Sequence, residues 1–229
     1  LARKILVNLI IVPFRAPKSA AIYKKLWTAN GSPLLYFSNK VKDLLQQELK
    51  DEYDVFLAMR YKNPSIASVL ESMRKKNYSK IIVLPMFPQY ASASTGSALD
   101  EVMRVLRTWW VIPEMKFISQ YYDQPTFIDA LVARGKQYDL SAYDHVLFSY
   151  HGLPERQVDK VYSEGLCSDH DCENEITEEN KFCYKATCYA TTRLLAERLN
   201  IPKDKYTVCF QSRLDKKWLE PFSDKVVED

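Results

Sequence analysis

No apolar run in this 229-residue sequence approaches the roughly 20 residues that cross a bilayer as a helix. The longest, at 5–7, 9–12 and 81–87, are less than half that length, so no transmembrane helix is expected. The stretch at 1–9 is too short and too interrupted by polar residues for a secretory signal. A cytoplasmic location is therefore the expectation, and any membrane contact would be peripheral. An excess of one charge is lacking too: 32 Lys+Arg against 29 Asp+Glu leave +3, with the signs mixed along the chain. Phosphate binders concentrate Lys and Arg on one face, so a nucleic-acid partner is not expected. There is no Walker lysine motif and no dinucleotide glycine pattern, which removes support for nucleotide binding. Internal repeats and low-complexity segments are absent as well. What is present, 47% hydrophobic and 27% charged residues, is the composition of an ordinary globular protein with one large or two smaller domains.

The cysteines are distributed unevenly. Four of the five, Cys167, Cys172, Cys183 and Cys188, fall in the pattern Cys-x4-Cys-x10-Cys-x4-Cys, while Cys209 sits alone in the apolar run Tyr-Thr-Val-Cys-Phe and reads as a buried core thiol. Clustered thiols without an export signal favour metal or iron-sulfur ligation over a disulfide framework. Structural zinc takes four S/N ligands, and His170 would be a spare candidate. A [2Fe-2S] cluster also takes four thiolates and tolerates wider spacing. Two disulfides or four free thiols complete the alternatives; spacing favours a metal or a cluster without separating the two.

Apolar β-branched runs alternate with helical patterns, the sign of a parallel sheet wrapped by helices. Strands are expected over 4–9, 53–59, 80–87, 115–119, 145–150 and 205–210, and helices over 18–27, 38–49, 64–77, 96–108, 125–138 and 186–199. Asn63-Pro64 reads as a helix start, with Asn as the cap and Pro in the first turn. Near-continuous apolar strands should be buried on both faces. A boundary near 140–143 follows, because four parallel strands would be complete before it.

In open α/β sheets ligands bind beyond the carboxyl ends of the strands. Three expected strands end in polar, ring-bearing residues: Met59-Arg60-Tyr61, Met86 through Tyr90, and Ser149-Tyr150-His151-Gly152. His151 is one of three histidines and the only one at such an end; an imidazole there can accept a proton near neutral pH or ligate a divalent metal. His145, at the start of the same strand, reads as structural. Arg60 and Tyr61 suit a flat anionic ligand, though a surface ion pair and a half-buried ring would read the same. The segment Ala91-Ser92-Ala93-Ser94-Thr95-Gly96-Ser97 could hold an anion on its N–H groups or simply cap the following helix.

Ser149-Tyr150-His151-Gly152-Leu153-Pro154-Glu155-Arg156 resembles the Ser-Tyr-His-Gly-Leu-Pro signature of the ferrochelatase family. Further similarities follow in the family's order: Arg15-Ala16-Pro17-Lys18-Ser19-Ala20 with Tyr23, Gly31-Ser32-Pro33-Leu34, Met59-Arg60-Tyr61, Pro85 through Tyr90 with Thr95-Gly96-Ser97, Thr191-Thr192-Arg193, and Phe210-Gln211-Ser212-Arg213 with Trp218-Leu219-Glu220-Pro221. The resemblance implies a chelatase-like α/β fold of two similar domains, each a parallel four-stranded sheet flanked by helices, at 1–140 and 141–229. It implies an enzyme that inserts ferrous iron into a porphyrin in haem biosynthesis. His151 then matches the cleft histidine that accepts a pyrrole proton or binds the incoming iron, and Arg15, Tyr23, Ser32, Arg60 and Tyr61 match porphyrin-lining positions. A non-catalytic tetrapyrrole-binding domain, or a chelatase for another divalent metal such as cobalt, is the alternative.

Three departures from the family pattern matter. The lip segment expected after 5–9 is missing, and so is most of the second domain, including a cleft glutamate, so the chain is expected to be incomplete. The third departure is the Cys-rich insertion at 159–188. Some ferrochelatases carry a [2Fe-2S] cluster, which ranks a cluster at Cys167, Cys172, Cys183 and Cys188 ahead of structural zinc; its role would be structural or regulatory, since iron insertion moves no electrons.

Overall fold

A computed structural model describes residues 12–228, so the strand expected over 4–9 lies outside the described residues. The chain forms two compact units, one ending at Lys75 and one beginning at Lys76. Helices dominate the first: α1 (Val12–Leu26), α2 (Pro33–Leu49) and α3 (Ile66–Lys76), which ends at the boundary. Pro33 opens α2, where its fixed φ suits the first turn and its missing N–H costs nothing.

Two expectations fail here for identifiable reasons. The helix foreseen from Asn63-Pro64 starts at Ile66, because Ser65 is the cap: its Oγ accepts the Ser68 N–H at 3.1 Å. The Pro64 carbonyl instead accepts the Met59 N–H at 2.7 Å. The strand foreseen over 53–59 does not form among the described residues, where only a single bridge, Met59 to Ser65, is present. The Gln46 side chain takes the place of a ladder, donating to the Tyr53 carbonyl and accepting from the Val55 N–H, both at 2.8 Å. An extended segment whose polar groups are met by one side chain needs no neighbouring strand.

The second unit carries two parallel strand pairs. β1 (Lys80–Val83) pairs with β2 (Glu114–Phe117), and β3 (Val146–His151) with β4 (Tyr206–Gln211), in register from Val146 with Tyr206 to His151 with Gln211. Around them run α4 (Ser97–Leu106), α5 (Pro125–Gly135), α6 (Glu155–Asp159), α7 (Tyr184–Arg198) and α8 (Ser223–Glu228). The α/β class holds, but the sheets among the described residues have two strands each and not the expected four. A short turn at Leu140–Ala142, capped by the Asp139 carboxylate on the Ser141 N–H at 3.1 Å, separates the two pairs along the chain where the boundary was expected.

The axis of this unit is α7. Its buried residues are Ala186, Thr187, Cys188, Ala190, Thr191, Thr192, Leu195 and Ala196, mostly small side chains that let neighbouring elements approach closely. The Thr191 hydroxyl accepts from Gln89 Nε2 at 3.0 Å and faces the carbonyls of Thr187 at 2.9 Å and Tyr122 at 3.1 Å. Thr191 thereby ties the segments after β1 and β2 to the helix behind β3. Val158, Val208, Phe210 and Leu219 pack with the four clustered cysteines in one core.

β3 is not buried on both faces. Its residues alternate between half-buried and exposed, with Leu147, Ser149 and His151 on the open side, as the two-residue period of a strand requires.

Phe210 is 1% exposed at the centre of this core, and its removal leaves a cavity. Phe210→Ala is expected to cost about 3–5 kcal/mol in urea unfolding. At Gly152 an added Cβ would stand 2.8 Å from the Gln211 carbonyl oxygen and 3.4 Å from the Trp218 ring. That oxygen belongs to the β4 backbone and cannot yield alone, so Gly152→Ala is expected to destabilise by about 1–3 kcal/mol in the same assay.

Candidate active site and thiol site

His151 is the last residue of β3, with its side chain exposed on the open face. The backbone around it is tightly held. The Tyr184 hydroxyl donates to the His151 carbonyl at 2.9 Å, and the Gly152 N–H donates to the Gln211 carbonyl at 2.7 Å. Beyond it, Pro154 bridges to Trp218 and the Leu219 N–H reaches the Leu153 carbonyl at 2.9 Å. The Ser-Tyr-His-Gly-Leu-Pro segment and the Trp-Leu-Glu-Pro segment, far apart in sequence, therefore meet at the strand end. Lower on the same face Ser223 donates to the Cys209 sulfur at 3.2 Å and stands 3.1 Å from Ser149. Cys209 is wholly buried, as its apolar run implied. His145, just before β3, has its Nε2 2.9 Å from Thr207 Oγ1.

The other sequence-derived positions lie in the first unit. The Arg60 guanidinium stacks 4.8 Å from the ring of Tyr61, which is 72% exposed. Tyr23 is exposed on α1; Arg15 lies on the same helix, its side chain outside the described ones. Ser32 is a half-buried extended residue preceding α2, without a side-chain bond to the helix start. In the second unit, the anion cradle considered for 91–97 is closed in part. The N–H groups of Ser94 and Gly96 are used by the Ala91 carbonyl, at 3.2 and 3.0 Å, in the single wide turn Ser92–Gly96.

The cysteines form a second site. The sulfurs of Cys167, Cys172 and Cys183 lie within 4.8 Å of one another, all buried. The loop that carries them is ordered by its own polar side chains: Asp159 accepts the Cys167 N–H at 2.9 Å, and Asp169 the Leu166 N–H at 2.8 Å. Asn180 bonds the Thr177 N–H at 2.7 Å and the Glu175 carbonyl at 3.1 Å. Lys185 pairs with Glu173 at 2.7 Å.

Cys188, expected as the fourth ligand, stands outside this group among the described residues. Cys183 is the cap of α7 and Cys188 comes five residues later, about 140° around the helix at 3.6 residues per turn. Its sulfur turns into the core against Tyr184, and burial holds its thiol well above the ordinary range. His170 is also outside the group; its ring stacks on Tyr162 at 3.9 Å, with Nδ1 3.8 Å from Glu179.

Crowded thiols share protons unequally. Hydrogen bonds from Cys167 and Cys172 hold the Cys183 thiol below its ordinary range, against the opposing cost of burial and helped by the Ala186 N–H. Cys167 moves up, first through its hydrogen bonds with Cys172 and Cys183 and then through burial. The Tyr162 hydroxyl is buried beside these thiols and makes no hydrogen bond among the described residues. Three buried thiols gathered within 4.8 Å are the donor chemistry of a thiophilic metal. Sequence spacing pointed to the cysteines but carried no sign of Tyr162 or Tyr184; the latter's place in the first turn of α7, next to Cys183, is the one clue it offered.

Comparison with known proteins adds an independent line. The family model described as Ferrochelatase matches residues 1–229. A protein named Ferrochelatase from Legionella pneumophila (strain Paris) is 44% identical over 225 residues, covering 98% of this chain and 66% of its own length. Another so named, from Coxiella burnetii (strain CbuK_Q154), is 40% identical over 229 residues, covering 98% of this chain and 63% of its own. This chain thus spans just under two thirds of the length of the curated relatives it matches. Match over every residue, together with the His151 strand end where two of the family's motifs meet, establishes that the chain belongs to the ferrochelatase family.

Proposed function

We propose that the protein inserts ferrous iron into a porphyrin, releasing two protons for each metal ion taken up. The observation that carries this reading is His151: an exposed imidazole at the carboxyl end of a parallel strand, on a backbone held on both sides by Tyr184 and Gln211. Metal insertion breaks two pyrrole N–H bonds while the metal forms bonds to nitrogen, and a base that titrates near neutral pH is suited to take such a proton. One proton passes to His151 Nε2 or Nδ1 and on to solvent, and the second leaves by the same route after the imidazole has been discharged. Arg60 over Tyr61 presents a cation and a ring face suited to the carboxylates and plane of a porphyrin, with Arg15, Tyr23 and Ser32 as further porphyrin-side positions. Within this reading the chain comprises one chelatase-like domain through residue 140 and the opening part of a second from 141.

The thiol site, with Cys167, Cys172 and Cys183 gathered and Cys188 the remaining clustered thiol, offers all-sulfur donors that suit a resident [2Fe-2S] cluster or a structural zinc ion alike, and the resemblance to cluster-bearing ferrochelatases ranks the cluster first. When bound, such a cluster supplies cross-linking of the loop and a redox-sensitive centre. Iron insertion itself transfers no electrons, so no step of the reaction passes through it. The buried Tyr162 hydroxyl, without a hydrogen-bond partner among the described residues, is a polar group left beside these thiols.

Three outcomes test this. His151→Ala is expected to lower the rate of zinc or iron insertion about 100-fold or more with the unfolding midpoint unchanged, since the ring is exposed; retained turnover in a folded variant would refute the assignment. Arg60→Leu is expected to raise KM for porphyrin about fivefold with kcat unchanged, as for the loss of ~1 kcal/mol of exposed ion pairing. Anaerobically purified protein should absorb in the visible with equal iron and acid-labile sulfide, and Cys183→Ser should lose both; a colourless protein that binds zinc would replace the cluster with zinc.

A further inference from the structure

We infer that Tyr184 is a positioning residue: its hydrogen bond to the His151 carbonyl links the thiol site to the imidazole, so that filling the thiols sets where His151 stands. The inference rests on the proposed role of His151 and adds to it a residue and a means of regulation. Its basis is a short chain of contacts inside the second unit. Cys183 caps α7, and Tyr184 is the first residue of that helix. A metal on the Cys183 sulfur would fix the cap, and with it the direction in which the Tyr184 ring leaves the helix. That ring spans to the end of β3 and donates to the His151 carbonyl at 2.9 Å, across 33 residues of chain.

Two features make this contact the adjustable one. Further along, β3 is fastened to the same helix by Tyr150, whose hydroxyl is 2.9 Å from Thr192 Oγ1 two turns beyond Tyr184. Thr192 is fully buried, so the body of the helix cannot slide along the strand. The first turn of α7 continues the cysteine loop directly through the Cys183 cap, and there the Thr187 hydroxyl bonds back to the carbonyls of Cys183 and Tyr184, at 3.0 and 3.1 Å, while Arg193 farther along the helix donates to the loop at the Glu173 carbonyl. A shift of the Cys183 cap therefore moves Tyr184 while Thr192 stays in place. On the far side the Gly152 N–H is held by the Gln211 carbonyl at 2.7 Å, so a displaced carbonyl turns the peptide between two fixed points and re-aims the His151 side chain.

The test uses the imidazoles themselves. The chain has three histidines, so protein labelled with 15N-histidine gives three pairs of ring-nitrogen signals, assigned by replacing each residue with Gln. Metal-free, reduced protein is titrated with one equivalent of zinc as the probe. The His151 signal is expected to move on loading in the wild type and to remain at its metal-free position in Tyr184→Phe, while the His145 signal, fixed through Thr207, is unchanged in both. A His151 signal that ignores zinc, or that responds equally in Tyr184→Phe, overturns the inference. A response that survives in Cys167→Ser/Cys172→Ser comes from zinc at the imidazole and overturns it too. In turnover, Tyr184→Phe should lose about ten- to a hundredfold in kcat with KM for porphyrin unchanged and its thiol-bound metal retained; wild-type kcat would contradict a positioning role. If the wild type inserts no metal at all, the proposed function fails, and the histidine signals still decide whether Tyr184 links the two sites.

Discussion

The second unit depends on the burial of α7. A helix buried along most of its length normally carries large aliphatic side chains, yet this one is lined by alanine, threonine and cysteine. Small side chains bring backbones close, but each threonine hydroxyl taken from water must find a partner or cost about 1–3 kcal/mol. Each hydroxyl has one: Thr187 bonds within the helix, Thr191 meets Gln89 and the Tyr122 carbonyl, and Thr192 meets Tyr150. The loops that leave β1 and β2, and the strand that bears His151, are therefore fixed to one helix by hydrogen bonds with fixed directions. Apolar packing alone would set their distance and leave their orientation looser.

The same helix brings the thiols to its N-terminal end, and here close packing creates an electrostatic demand. Three sulfurs within 4.8 Å cannot all ionise in a buried site, because like charges at that separation repel strongly. The hydrogen bonds among them pull Cys183, at the helix cap where the Ala186 N–H points, downward and push Cys167 upward. A positive ion at this point would release the remaining protons and join the loop to the helix. The loop itself consists largely of charged and polar residues with few apolar anchors, so its order rests on Asp159, Asp169, Asn180 and on the sulfurs. Were a metal bound at these sulfurs, its occupancy and the local fold of 159–188 would be one equilibrium.

Much of this was legible in the sequence, and the failures have physical causes. The helices α4, α5 and α7 and the strands β1 to β4 stand close to where periodicity put them, although β1, β2 and β3 are more open than strands buried on both faces would be, and the short helices α6 and α8 were not foreseen. The strand expected over 53–59 failed because β propensity cannot report whether a partner strand is present, and Gln46 satisfies that backbone instead. The cap assigned to Asn63 belongs to Ser65. Cys188 looked equivalent to its neighbours because spacing is one-dimensional; the turn of the helix takes it to another side. His151 was visible through its place at a strand end, whereas Tyr184 was not, since a hydroxyl that bonds a backbone carbonyl 33 residues away leaves no periodic trace.

The exposed alternation of β3 gives the last link between architecture and chemistry. Had β3 been buried on both faces, His151 would have faced a layer of apolar side chains and its ring would have been closed to any ligand. Instead the period of two puts Leu147, Ser149 and His151 on an open face, while Phe148 and Tyr150 pack against the core clusters. The strand thus anchors itself with one set of residues and presents chemistry with the other. What keeps the presenting set in place is backbone: Gly152 lies so close to the Gln211 carbonyl that no side chain fits between them, and the segment at Trp218 closes over it. A base whose ring must stay accessible cannot be held by packing around the ring, so it has to be held from behind, through its own carbonyl and the residue that follows it.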